Sequence, residues 1–198
     1  MAEAAEPLQT RSLFGGAMEM AMPARFLDVS DVRPVPDNQE VWSDPSSDQS
    51  VVVEILEHSA HVPDAEAGAF FFRDLAAESD APAQQLEGCT SLAPGDVPGV
   101  PEASARVVAR GWQAVSKERE PAAAANRVRI DLAALRLPGR GSDVLVVLSS
   151  GADAAPGSSA AAAAAAGAGR RAGAEGGGAL LAAMLRTLAV RDYSLFGA

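Results

Sequence analysis

Two apolar stretches, Arg127–Leu137 and Asp143–Ser149, flank the tetrapeptide Pro138-Gly139-Arg140-Gly141. No other feature constrains the fold as strongly. Proline and two glycines within four residues make a tight reversal, and strands joined by so short a connection must pair antiparallel. The second stretch contains Val-Leu-Val-Val-Leu, which has no polar face and belongs in the middle of a sheet covered on both sides. A further strand is predicted over Ala105–Lys117. Ser50–Glu57 (SVVVEILE) is β-branched and follows a polar turn, so it is predicted as a strand too. Gln39–Trp42 is a short one, and Leu13–Ala17 with the apolar run to Met22 suggests two short strands around a glycine kink.

Helical spacing is present over Asp64–Glu78, with Asp64 in position to cap it, and over Ala179–Val190, where Leu180, Leu181, Met184, Leu185 and Leu188 form one stripe. Asp28–Arg33 has the acids of a single helical turn. Residues 1–12 are expected to fray and residues 79–104 to be mostly loop. The Leu-Phe near the end of the chain suggests a docked tail. About six strands arranged as hairpins, with two or three helices, predict an α+β fold with a largely antiparallel sheet. Residues 151–178 are almost entirely Ala, Gly and Ser and are read as a flexible loop within a single domain spanning 1–198.

Charge is distributed unevenly. The chain carries a formal net charge of −10, and residues 1–57 hold eleven acids against three bases. Such a chain repels nucleic acid and anionic membranes and attracts basic protein surfaces. With one cysteine, Cys89, no internal disulfide is possible, and no thiolate metal cluster is expected. The sequence has no phosphate-binding GxxxxGK[ST] loop and no GxSxG elbow. His58 and His61 are read as ordinary surface histidines. No cofactor, metal or catalytic residue is predicted, and no membrane span. MAEAAEPLQTR lacks the features of a secretory or transit peptide, so the nucleus or cytoplasm is expected.

The informative segment is Asp28–Glu57, with eight acids and one base. Within it, Asp37 and Glu40 lie three apart around a Pro-Asp turn, which could hold two carboxylates at a rigid, exposed corner. The alternative reading of the same residues is a solvated acidic loop with an Asx turn at Asp37.

The run Asp28–Val41 (DVSDVRPVPDNQEV) resembles the Ran guanine nucleotide release factors. LFGGA at 13–17, DQSVVVEILE at 48–57, LRLP at 135–138 leading into Asp143–Leu148, and the Leu-Phe-Gly ending are also similar to that family and fall in its order. The resemblance implies an antiparallel sheet with helices on both faces, shared with the lumenal PsbP protein of the oxygen-evolving complex. It implies a monomeric protein that binds the GTPase Ran and promotes nucleotide release in nuclear import by binding rather than catalysis. It places Asp37 and Glu40 on the Ran-binding surface, with Asp31 and Arg33 in the same run. An adaptor role for the same fold on another assembly is the alternative. The Ala/Gly tract and the stretch 79–126 depart from the family pattern.

Overall fold

The computed structural model describes residues 6–44, 46–115, 125–153 and 176–196. Ten strands and two α-helices occur among them: β1 (Leu8–Leu13), β2 (Met18–Pro23), β3 (Leu27–Asp28), β4 (Gln39–Asp44), β5 (Gln49–Glu57), α1 (Ala67–Glu78), β6 (Gln84–Ser91), β7 (Ala105–Val115), β8 (Asn126–Leu137), β9 (Ser142–Asp153), α2 (Gly177–Leu185) and β10 (Ala189–Val190). They form a seven-stranded sheet in the order β3-β4-β5-β9-β8-β7-β6 and a three-stranded sheet in the order β1-β2-β10. Every strand pair within these sheets is antiparallel.

The β8–β9 hairpin lies at the centre. Its turn, Pro138–Arg140, closes on Gly141 at φ +60°, a left-handed conformation that favours glycine. Along β8 the side chains alternate. Ala133, Leu135 and Leu137 join one core, while Ile130, Leu132 and Ala134 join another. The period of two divides the interior into two layers, and the expected antiparallel sheet with a helix on each face is what forms.

The smaller layer is roofed by α1, whose Ala67, Phe71 and Phe72 press onto Ala109, Leu132 and Val147. Helix and sheet approach closely because two glycines make room. A Cβ on Gly68 would come within 2.8 Å of Val107, and one on Gly111 within 2.7 Å of the Phe72 ring. Asp64 does not cap this helix. A 3-10 turn, Asp64–Glu66, precedes α1, and the Asp64 carboxylate instead lies 3.9 Å from Arg136. The larger layer is roofed by α2 and the small sheet, which contribute Leu181, Met184 and Leu185 and the methionines 18, 20 and 22.

Several expected boundaries move. Strand β1 begins at Leu8, so residues 8–12 do not fray; they pair along β2 from Leu8↔Pro23 to Ser12↔Glu19. Residues 84–91, expected as loop, form the edge strand β6, which is almost wholly exposed. Apart from the half-buried Leu86 its residues are exposed, and the sequence shows no apolar alternation. The backbone ladder to β7 holds it, with an ion pair from Arg129 to Glu87, a hydrogen bond from Trp112 to Gln85 and the half-buried Leu86 against the smaller core; composition does not reveal that. Helix α2 ends at Leu185 rather than Val190, and the chain then re-extends as β10 to pair with β2. At the borders of the Ala/Gly tract, 151–153 complete β9 and 177–178 begin α2. Residues 154–175 of that tract, and the predicted strand end at 116–117, lie outside the described residues. The tail docks as expected, through the turn Tyr193–Phe196 with Phe196 buried.

Candidate functional site

The acidic segment forms one edge of the large sheet. Strand β3 is the outermost strand and pairs with β4 only through Leu27↔Ser43 and Asp28↔Trp42. Asp28 then caps a 3-10 turn, Val29–Asp31, its carboxylate accepting the Ser30 N–H at 2.8 Å. This is the predicted helical turn, and a short acidic side chain at its start suits the unpaired N–H groups there. Buried Val29 anchors the turn, and its carbonyl accepts the N–H groups of Val32 and Arg33 at 3.0 and 3.1 Å.

Pro34 and Pro36 carry the chain back to β4 through a second turn, closed by Gln39 N–H on the Pro36 carbonyl at 2.9 Å. Asn38 fastens this turn to β5. Its carbonyl accepts the Ile55 N–H at 2.9 Å, and its side-chain amide donates to the Ile55 carbonyl at 3.1 Å. Gln39 adds a 2.8 Å hydrogen bond to Glu54. Asp37 therefore stands on a corner fixed from both sides, as the Pro-Asp spacing suggested. The fastening residues Asn38 and Glu54 are legible only once β4 and β5 are known to pair.

The two members of the predicted carboxylate pair have different environments. Asp37 is exposed, as are Asp31 and Arg33. None of the three side chains engages another described residue. Glu40 is half-buried and turned inward, where its carboxylate accepts the backbone N–H of Phe14 at 2.5 Å. Phe14 holds φ +49°, a left-handed conformation that costs a non-glycine residue about 1 kcal/mol or more. Glu40 therefore pins a strained turn between β1 and β2 to the edge of the large sheet. Burial pushes the Glu40 carboxyl above its usual range; the Phe14 N–H opposes the shift and the nearby Asp28 carboxylate adds to it.

A raised folded-state value means that the folded protein favours protonated Glu40. The cost of ionising Glu40 within the fold is present at neutral pH and is relieved as pH falls through that raised value. Glu40→Gln retains an oxygen to accept the Phe14 N–H without the charge, so at pH 7 it is expected to leave stability unchanged or raise it. Glu40→Ala leaves that N–H without its partner and is expected to cost about 1–3 kcal/mol, read as a denaturant midpoint shift. Equal losses for both variants would show that the hydrogen bond does not matter.

His58 is not an ordinary surface histidine. Its Nδ1 lies 2.9 Å from Oδ1 of fully buried Asp143, beside the buried guanidinium of Arg136. Among the described residues no group of three or more His, Cys, Asp or Glu side chains is placed to hold a metal ion. No helix among them is long and apolar enough to cross a membrane.

Taken together, these features define an α+β domain that holds an acidic edge in a fixed shape. Residues 11–150 match the family described as Ran-interacting Mog1 protein. The human Ran guanine nucleotide release factor (Homo sapiens) is 37% identical over 144 residues, covering 73% of this chain and 76% of the relative. The nuclear import protein mog1 of Schizosaccharomyces pombe is 34% identical over 118 residues, covering 58% of this chain and 62% of that protein. The crystal structure of the Saccharomyces cerevisiae Ran-binding protein Mog1p superposes with a TM-score of 0.70 at 23% identity, covering 98% of this chain and 100% of that one. The chain belongs to the Ran-interacting Mog1 protein family.

Proposed function

We propose that this chain binds the GTPase Ran and promotes release of its guanine nucleotide, in support of nuclear protein import. It acts by binding alone, as a monomer, in the nucleus and cytoplasm. Family membership names the partner. The observation that carries the reading to particular residues is the fixed acidic edge, where exposed Asp31, Arg33 and Asp37 sit on turns held by internal hydrogen bonds. A surface already ordered before contact loses little entropy on binding. Asp31 and Asp37 are assigned to direct contact with basic groups of Ran, and Arg33 to the same surface. Glu40 is assigned to holding that edge against the Phe14 turn.

Release follows from linkage. Ran holds its nucleotide through basic and metal-bound groups around the phosphates. A protein that binds nucleotide-free Ran more tightly than the loaded form must weaken nucleotide binding by the same factor. The test is release of a fluorescent guanine nucleotide from purified Ran, followed with and without the chain. A release rate that rises with chain concentration and saturates is the expected outcome. No acceleration together with no detectable complex would refute the proposal.

A further inference from the structure

Among the described residues only two large apolar side chains are strongly exposed, Leu27 at 56% and Val32 at 82%. Both lie on the edge just described, five positions apart in a chain that otherwise buries its large hydrophobics well. Neither is required there by the local fold. Val29, not Val32, is the side chain that anchors the turn, and Val32 contributes to it only through its backbone N–H. Leu27 sits in the two-residue strand β3, whose outer side pairs with no other strand. A partner can therefore approach this edge side-on without displacing any part of the sheet.

We infer that Leu27 and Val32 form the apolar centre of the docking surface, with Asp28, Asp31 and Asp37 as its charged border. The occupant is a face of Ran that presents a shallow apolar depression bordered by lysine and arginine side chains. This rests on the Ran-binding reading and adds residues that the acidic pattern alone does not indicate. Charge complementarity supplies the chemistry. An apolar pair inside an acidic border fits an apolar patch inside a basic one. The two parts of such an interface do different work. Border charges set the encounter rate and its dependence on salt. Central side chains that become fully desolvated set the lifetime of the complex.

The experiment is a titration of fluorescently labelled Ran with the wild-type chain and with a Leu27→Ser/Val32→Ser double variant, at two salt concentrations. The variant is expected to bind about tenfold more weakly or worse, through faster dissociation. Its salt dependence should match that of the wild type. Both side chains are exposed, so the thermal midpoint should not fall. A double variant that binds as tightly as a wild type which itself binds Ran would overturn the inference while leaving the Ran-binding reading intact. A wild type that does not bind Ran would refute both.

Discussion

Asp143→Ala is expected to cost about 3–5 kcal/mol, a large part of the stability of a domain this size. Asp143 is fully buried on β9, directly across the ladder from Arg136 on β8. One of its oxygens lies 2.8 Å from Arg136 Nε and 2.9 Å from His58 Nδ1; the other accepts the Ser59 N–H at 3.0 Å. The Arg136 Nε–H points off the line to that oxygen, so this contact is an ion pair rather than an aligned hydrogen bond. The guanidinium is completed by the Ser59 carbonyl at 2.9 Å and the Val62 carbonyl at 3.2 Å. The cluster fastens residues 58–62, which lead into α1, onto the central hairpin.

Removing the carboxylate leaves a guanidinium with almost no access to water, whose remaining counter-charge is the half-exposed Asp64 carboxylate 3.9 Å away. It also leaves the Ser59 N–H without its acceptor. Most of the loss should come from the stranded charge, and that can be checked. An Arg136→Met/Asp143→Leu double variant removes both charges and should lose less than Asp143→Ala alone, although it changes more atoms. Urea titrations of the wild type, Arg136→Met, Asp143→Leu and the double variant, beside Asp143→Ala, give the answer. A double variant that loses the sum of the two single losses would mean the residues act independently.

How much of this was legible in the sequence depended on whether a residue's role is local or distant. The β8–β9 hairpin could be read because Pro138, Gly139 and Gly141 act within four residues of one another. The turn at Asp28 could be read for the same reason, since its cap reaches only to Ser30. Strand β6 could not be, because nothing in its exposed residues distinguishes a backbone-paired edge from a loop. The role of His58 was hidden because its partners lie 78 and 85 positions away in the chain. The half-burial of Glu40 was not legible either. Three residues beyond Asp37 and just past a Pro-Asp turn, Glu40 has the sequence context of an exposed carboxylate. Its acceptor role toward Phe14 spans 26 positions and exists only because the small sheet packs over Trp42 and its neighbours. The resemblance carried by residues 28–41 falls on a segment that the fold holds as one exposed edge of the large sheet. Which side chains face outward there is decided by the pairing of β3, β4 and β5.

That distinction changes how the acidic surface should be tested. Asp31→Lys/Asp37→Lys is expected to weaken Ran binding about a hundredfold or more at low salt, because placing like charges opposite one another costs several kcal/mol. Neither aspartate engages another described side chain, so the fold should be unaffected. Lysine at position 40 would confound the result: it would strand the Phe14 N–H and place an ammonium in a half-buried site. A loss of binding there could report a loosened turn rather than a missing contact. The loss in the Asp31/Asp37 variant should fall mainly on the association rate. It should also shrink at high salt, since the screening length drops to about 3 Å near 1 M. The apolar variant at Leu27 and Val32 should behave in the opposite way, dissociating faster with little response to salt. Stopped-flow association and dissociation at low and high salt therefore separate the two contributions in one set of curves. If charge reversal at Asp31 and Asp37 leaves association unchanged at low salt, this edge does not meet a basic surface, and the Ran contact must lie elsewhere on the chain.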